Sequence, residues 1–161
     1  MIVHPIPPLY SPLSKVLILG SFPSVKSREE GFFYGHRMNR FWSVISRITE
    51  RPLPGTIEEK RDLILSSGLA LWDVIASCDI EGSSDSSIRN VTANDLSVIL
   101  DSADIRAIFT NGRKSAELYR RYILPVTGRE AVCLPSTSPA NAAWSLERLV
   151  DAWRIELSGY L

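Results

Sequence analysis

Two stretches of this chain carry the residue types from which a polar binding site is made. Gly20-Ser-Phe-Pro-Ser24 follows the branched apolar run Val16-Leu-Ile-Leu, and Pro135-Ser-Thr-Ser-Pro-Ala-Asn141 follows a second apolar run that ends at Leu134. Hydroxyls and prolines at the end of a buried strand are ordinary turn chemistry when met singly. In open α/β sheets, however, ligands bind in the crevice outside the carboxyl ends of the strands. Two such loops on one sheet edge therefore point to a site. In the chain between them, Gly31-Phe-Phe-Tyr-Gly-His-Arg-Met-Asn39-Arg-Phe-Trp42 is dense in aromatics and cations and reads as a pocket wall, with Asn39 placed where a helical pattern begins.

Several chemistries are excluded by what is missing. No G-x-x-x-x-G-K-[ST] or G-x-G-x-x-G follows a strand, and the two histidines, His4 and His36, form no cluster with cysteines. Neither a nucleotide cofactor nor a metal site is expected, and no cofactor of another kind is implied. A serine hydrolase built on Ser21, Ser24, Ser136 or Ser138 would need a neighbouring base, which only His36 offers, and there is no G-x-S-x-G elbow. Cys78 and Cys133 sit among apolar neighbours and read as small core residues of a reducing compartment. The formal net charge is zero, so a polyanionic partner must be met by a local patch and not by the field of the whole protein. No stretch approaches the roughly 18 apolar residues of a membrane span, and the N-terminus lacks a basic start, so a soluble, cytoplasmic protein is expected.

The elements that position these loops follow from periodicity. With 161 residues and 45% hydrophobic content the chain has the size of one domain, 1–161, with a core of its own. Pro5, Pro7, Pro8 and Pro12 forbid helix at the start and predict an extended arm over residues 1–14. Lys15 to Gly20 is the first strand. Phe41, Val44, Ile45 and Ile48 at helical spacing predict a helix from Asn39 to about Thr49, and Thr56 with Glu59 forms a capping-box signature for a second helix that ends at Gly68. Leu69 to Ile75 reads as the second strand, and the polar stretch from Cys78 to Asn94 as a long loop. A third helix is marked by Leu96, Ile99 and Leu100. The third strand is Ile105 to Thr110, followed by a helix from Arg113 to Tyr122. The last strand is Ala131 to Leu134, and Leu146, Leu149, Val150, Trp153 and Leu157 define a final amphipathic helix. Four strands alternating with helices predict an α/β fold of three layers, with a central four-stranded parallel sheet covered on both faces.

The paired strand ends resemble those of the uracil-DNA glycosylase superfamily, in which a Gly-x-x-Pro loop after the first strand holds the catalytic water and a Pro-Ser loop after the last strand grips DNA. The resemblance spans nearly the whole chain. It takes in Gly68-Leu-Ala-Leu-Trp-Asp73, similar to the base-recognition strand, and Phe109-Thr-Asn-Gly-Arg-Lys114, similar to the penultimate strand and turn. Within the superfamily the branch of hypoxanthine (deoxyinosine) DNA glycosylases matches best, through Gly-Ser-Phe-Pro, Tyr-Gly-His-x-x-Asn-Arg-Phe-Trp and Ser-Thr-Ser-Pro-Ala-Asn. The resemblance implies a monofunctional glycosylase that acts on DNA containing a deaminated base; no lysine nucleophile is evident near these loops, so lyase activity is not expected, and the protein is expected to be a monomer. A uracil-specific enzyme is the nearest alternative. Enzymes strict for uracil carry a bulky aromatic after the loop proline, whereas Ser24 follows Pro23 here and leaves a wider pocket. A non-catalytic module that recognises damaged DNA is the alternative from another class, favoured by the missing loop carboxylate.

Residue roles follow from that resemblance. Most uracil enzymes place Asp, Asn or Glu in the first loop, where this chain has Ser21 and Phe22, so the water-positioning role passes to Asn39, with Ser21 the next candidate. An amide at Asn39 is able to accept from water while donating to a sugar or phosphate, and it also suits a helix N-cap. Phe22 would stack on the flipped base or pack in the core. Asp73 would read the Watson–Crick edge of the base or cap the turn that follows it. Tyr34 and His36 would hydrogen-bond to base or sugar. Pro23, Ser24, Ser136, Thr137, Ser138 and Asn141 would line the DNA, with the hydroxyls and loop amides on phosphate oxygens. Pro139 and Ala140 would wedge beside the vacated base position, and Arg37 and Arg40 would supply positive charge.

Overall fold

A computed structural model describes residues 1–161. The central sheet holds β2 (Val16–Gly20), β3 (Leu69–Asp73), β6 (Ala107–Asn111) and β7 (Val132–Leu134), all parallel, in the order β3-β2-β6-β7. In β2 every residue is buried because both faces are covered. Successive side chains point to opposite faces. Val16 and Ile18 accordingly join one core with Phe41, Val44, Ile45, Leu149 and Trp153, while Leu17 and Leu19 join the other with Ile99, Leu118 and Ile123. The first layer is formed by α2 (Phe41–Thr49), α3 (Ile57–Ser66) and α7 (Leu146–Leu157). The second holds α4 (Ser97–Leu100), α5 (Arg113–Leu118), a π-helical turn (Tyr119–Ile123) and α6 (Leu124–Thr127). Thr56 caps α3 by accepting from the Glu59 amide at 3.1 Å.

Three expectations change. The polar stretch after β3 is only partly loop. After a break at Val74 the chain forms β4 (Ile75–Asp79), turns through residues 80–88, and returns as β5 (Arg89–Ala93). Together with β1 (Ile2–Val3) these make a second, antiparallel sheet in the order β1-β4-β5. Ile75 and Cys78 are buried while Ala76 and Ser77 are only partly covered, so the apolar signal is interrupted and reads as loop. The N-terminal arm is likewise no passive covering. Its strand pairs Ile2 with Cys78 and Val3 with Ser77, and Leu9 bridges Leu71 along the edge of β3. That pairing protects an otherwise open edge. Cys133, expected in the core, is exposed on the short β7, whereas Cys78 is buried. Between the Gly20–Ser24 loop and Gly31 lies a short helix, α1 (Val25–Glu30), capped at Ser24 and closed by Gly31 at φ 71°. No helix is long and apolar enough to cross a membrane.

Candidate active site

The register of the parallel sheet aligns its carboxyl ends. Gly20 pairs with Asp73, Leu19 with Thr110, and Asn111 with Leu134. Pairing continues past the strand ends, since Val74 N–H donates to Gly20 O at 2.8 Å and Ile75 N–H to Ser21 O at 3.1 Å. Above this edge opens a cleft of about 310 Å³, lined by the Gly20–Ser24 loop, the segment around Tyr34 and Asn39, Asp73, Asn111, the 136–140 loop, and Ser83 and Asp85. That volume falls within the range of small-ligand sites. Of the residues singled out by sequence, Ser21, Phe22, Pro23, Ser24, Tyr34, His36, Asn39, Asp73, Ser136, Thr137, Ser138, Pro139 and Ala140 line it. Arg37, Arg40 and Asn141 do not.

Asn39 is held firmly. Its Oδ1 accepts from the Thr137 hydroxyl at 2.8 Å and from Phe41 N–H at 2.9 Å, the first amide of α2, although the N-cap position itself is Arg40 and not the asparagine. A carbonyl oxygen has two lone pairs. Both are occupied, so the amide cannot also accept from water, and its free capacity is the Nδ2 donor. Thr137, expected at phosphate, is fully buried instead. Its hydroxyl accepts from Asn111 Nδ2 at 3.0 Å and its amide donates to Asn111 Oδ1 at 3.0 Å, while Arg40 N–H donates to its carbonyl at 3.0 Å. It is the fastening of the site and has no group left for DNA.

Arg40 also departs from its expected role. Its guanidinium donates to the carbonyls of Ser138 at 3.1 Å, Asn141 at 3.0 Å and Trp144, clamping the last loop. Asn141 spends its Nδ2 on Ser136 O at 2.9 Å. Ser24 accepts from Ser27 N–H at 3.2 Å and donates to its hydroxyl at 3.0 Å, so it is a helix cap and not a free hydroxyl. Ser136 and Ser138 accept from the backbone amides of Ser138 and Ala140, which leaves both hydroxyl protons available to the cleft. Arg37 is exposed beside His36. His36 Nδ1 accepts from Met38 N–H at 3.1 Å, which assigns the proton to Nε2.

Phe22 is only 8% exposed, with the His4 ring edge-on at 5.8 Å and the Arg28 guanidinium over it at 5.6 Å. Tyr34 has φ 52°, a left-handed conformation that costs a non-glycine residue of order 1–3 kcal/mol, and its ring stacks on Phe41 at 4.0 Å. The Trp42 indole N–H fixes this turn by donating to the Phe33 and Tyr34 carbonyls at 3.3 and 3.2 Å. Within it the Tyr34 hydroxyl is buried without a hydrogen-bond partner. An orphaned buried hydroxyl costs about 1–3 kcal/mol. Burial and the neighbouring Asp73 carboxylate hold the phenol protonated far above the ordinary tyrosine range, while the nearby Asn111 amide acts in the opposite direction.

Three site residues lay outside the sequence reading. His4, on the arm, meets Asp73 with Nε2 to Oδ2 at 2.7 Å, both side chains being nearly inaccessible at 3% and 6%. Asn111 holds Thr137 as described. Asp85, from the turn between β4 and β5, accepts from the Ser21 hydroxyl at 3.0 Å. Crowding by cleft atoms pushes the Asp85 carboxyl above its ordinary range, with Asp73 adding to the shift and Ser21 and Lys114 opposing it, although the residue as a whole stays exposed. The turn is moored to α1, where Val25 N–H donates to Ser83 Oγ at 2.9 Å and Arg28 to Gly82 O at 2.5 Å. Among the signals in the sequence, only the length and polarity of that stretch pointed toward it.

A parallel sheet whose strand ends converge on a polar cleft, walled by hydroxyl-rich loops, defines an α/β domain built to bind a polar ligand at its topological switch. Residues 7–156 match the model of the Uracil DNA glycosylase superfamily. The chain is 34% identical over 150 residues to a hypoxanthine DNA glycosylase of Methanosarcina acetivorans, which covers 92% of this chain and 94% of that protein. It is 32% identical over 149 residues to the hypoxanthine DNA glycosylase of Methanosarcina barkeri, with 91% and 92% covered. Among solved structures, a solution NMR structure of a Methanosarcina acetivorans protein, described there as a candidate uracil DNA glycosylase, superposes with a TM-score of 0.79 at 31% identity, over 96% of this chain and 98% of that one. The chain belongs to the uracil-DNA glycosylase superfamily.

Proposed function

We propose that this protein is a monofunctional DNA glycosylase that removes a deaminated base, hypoxanthine foremost, acting as a monomer in the cytoplasm. The carrying observation is the cleft itself. It joins the buried carboxylate of Asp73, a fixed amide donor at Asn39 and the Ser21–Asp85 pair on one sheet edge. The names of the two Methanosarcina relatives favour hypoxanthine over other bases, and Ser24 after Pro23 leaves room for a purine.

The target carbon is unreachable inside a duplex, so the nucleotide is flipped out at a cost of a few kcal/mol, less for a mispaired base. Asn39 Nδ2 donates to the oxygen of a water, and Ser21 Oγ, whose own proton goes to Asp85, accepts one of that water's protons. As the C1′–N9 bond breaks, its electron pair leaves with the base, the sugar gains positive character, and the water oxygen bonds to C1′. Asp85 takes the released proton by way of Ser21. Flanking phosphates held by the Ser136 and Ser138 hydroxyls, with Arg37 beside them, stabilise the cationic sugar. No lysine lines the cleft to form a Schiff base, which favours hydrolysis without strand cleavage by the enzyme itself.

Duplexes carrying inosine, uracil or xanthine, treated with the protein and then with alkali to cut abasic sites, test the reading. Inosine strands should be cut fastest. Retained binding with no cleavage of any of the three would leave a damage-recognition module.

A further inference from the structure

His4 belongs to a segment with no evident part in the chemistry, yet it is among the most constrained residues of the protein. Its backbone N–H donates to Ala76 O at 2.8 Å, and its ring lies edge-on to both Phe22 at 5.8 Å and Trp72 at 6.4 Å. Nδ1 accepts from Ile6 N–H at 3.1 Å, which makes Nδ1 unprotonated and assigns the proton to Nε2. Nε2–H is therefore the donor in the 2.7 Å contact with Asp73 Oδ2, and that oxygen carries no proton.

The other oxygen, Asp73 Oδ1, lies over Gly20 so closely that a Cβ there would stand 2.4 Å from it, and 3.3 Å from the Tyr34 hydroxyl. Only glycine permits both groups to converge at this point of the cleft. Asp73 Oδ1 is an acceptor with free lone pairs, and the Tyr34 hydroxyl, kept protonated, is a donor with nothing to donate to.

We propose that His4 is a positioning residue for base selection, holding Asp73 so that Oδ1, beside the unpartnered Tyr34 hydroxyl, presents an acceptor and a donor to the lactam edge of a flipped base. This rests on the glycosylase reading and deepens it. Deamination converts an amidine edge, a ring nitrogen acceptor beside an amino donor, into a lactam edge, a ring N–H donor beside a carbonyl acceptor. Hypoxanthine offers N1–H to Asp73 and O6 to Tyr34. Adenine would set its N1 lone pair against the carboxylate, and its amino group would leave the phenolic proton without an acceptor. As the glycosidic bond lengthens, negative charge spreads to O6, so the Tyr34 bond strengthens in the transition state while the N1–H bond to Asp73 is kept. The neutral His4 donor fixes the rotamer of Asp73 without placing a proton between Asp73 and the base.

Single-turnover cleavage of an inosine duplex tests the proposal with H4L, H4Q and Y34F, together with affinity for a duplex carrying a tetrahydrofuran abasic analogue, which has no base to read. Gln places an amide donor where Nε2 stands, whereas Leu fills the space without one. We expect H4L to lose on the order of 10–100-fold in rate, the range found when the partner that orients a metal-ligating side chain is removed, and H4Q to restore most of it. Y34F should lose on the order of 10²-fold. Abasic-duplex affinity should be unchanged in all three. An H4L rate equal to that of the unmodified protein, an H4Q as defective as H4L, or a fall in abasic-duplex affinity parallel to the fall in rate would overturn the proposal and leave His4 as a fastener of the arm. Failure of the underlying reading shows separately, as no base release by the unmodified protein.

Discussion

The Thr137 hydroxyl donates to Asn39 Oδ1 at 2.8 Å across 98 positions of sequence, and that bond decides how the asparagine is used. With Phe41 N–H on the same oxygen, the amide cannot flip without losing two hydrogen bonds, so Nδ2 is committed to the cleft. Asn39→Ala should lower single-turnover cleavage of an inosine duplex by on the order of 10²–10³, as loss of one preorganised donor typically does, and should also cost about 1 kcal/mol of stability through the lost hydrogen bonds to Oδ1. Asn39→Asp keeps the oxygen that accepts from Phe41 and Thr137 but replaces the donor with an acceptor. It should be as slow as the alanine variant while matching the unmodified protein in its urea midpoint. A fast Asp variant would show that an acceptor is what the water needs.

Asp85 should set an acidic limit on activity. Its carboxyl is raised above the ordinary value of 3.8 by crowding in the cleft, so on lowering the pH it gains its proton earlier than a free aspartate and ceases to accept through Ser21. The rate should therefore fall on the acid side at a pH above 3.8, with full activity only above that limb. Asp85→Asn should be slower on the plateau and should lack this limb. A pH–rate profile of single-turnover cleavage for both proteins checks it, and an unchanged limb in the variant would assign the titration to another group.

Two neighbouring arginines should part company in their salt dependence. Arg37 is exposed next to the cleft, whereas the Arg40 guanidinium is spent on the carbonyls of Ser138, Asn141 and Trp144. Arg37→Ala should reduce the slope of log K against log salt by about one unit, through one fewer displaced counterion. Arg40→Ala should leave the slope unchanged, weaken binding evenly at all salt concentrations, and lower stability by about 1–3 kcal/mol because loop carbonyls lose their donor. Fluorescence anisotropy over a salt series, with thermal melts alongside, separates the two. Equal slopes in Arg37→Ala and the unmodified protein would remove Arg37 from the phosphate contacts.

Much of this was legible in the chain because it depends on short-range pattern. An uninterrupted Val-Leu-Ile-Leu run ending in Gly-Ser-Phe-Pro has one good solution, a strand buried on both faces that stops at a sheet edge, and the spacing of Leu146, Leu149, Val150, Trp153 and Leu157 has one as well, the amphipathic α7. The motifs around Gly20, Asn39 and Ser136 therefore marked the cleft. What the sequence left open is set by contacts between segments far apart in the chain. His4 becomes a partner of Asp73, 69 positions away, only because β1 pairs with β4 and lays the arm beside β3. Thr137 and Arg40 change from presumed DNA contacts to fasteners because packing of the last loop against α2 and β6 buries the one and surrounds the other with carbonyls. Asp85 enters the cleft because β4 and β5 fold back under it, and those half-buried strands had too little apolar periodicity to be seen before their partners were in place. Local propensity chooses elements, but the unpaired donors and acceptors they leave find their partners only when tertiary packing brings distant backbone together.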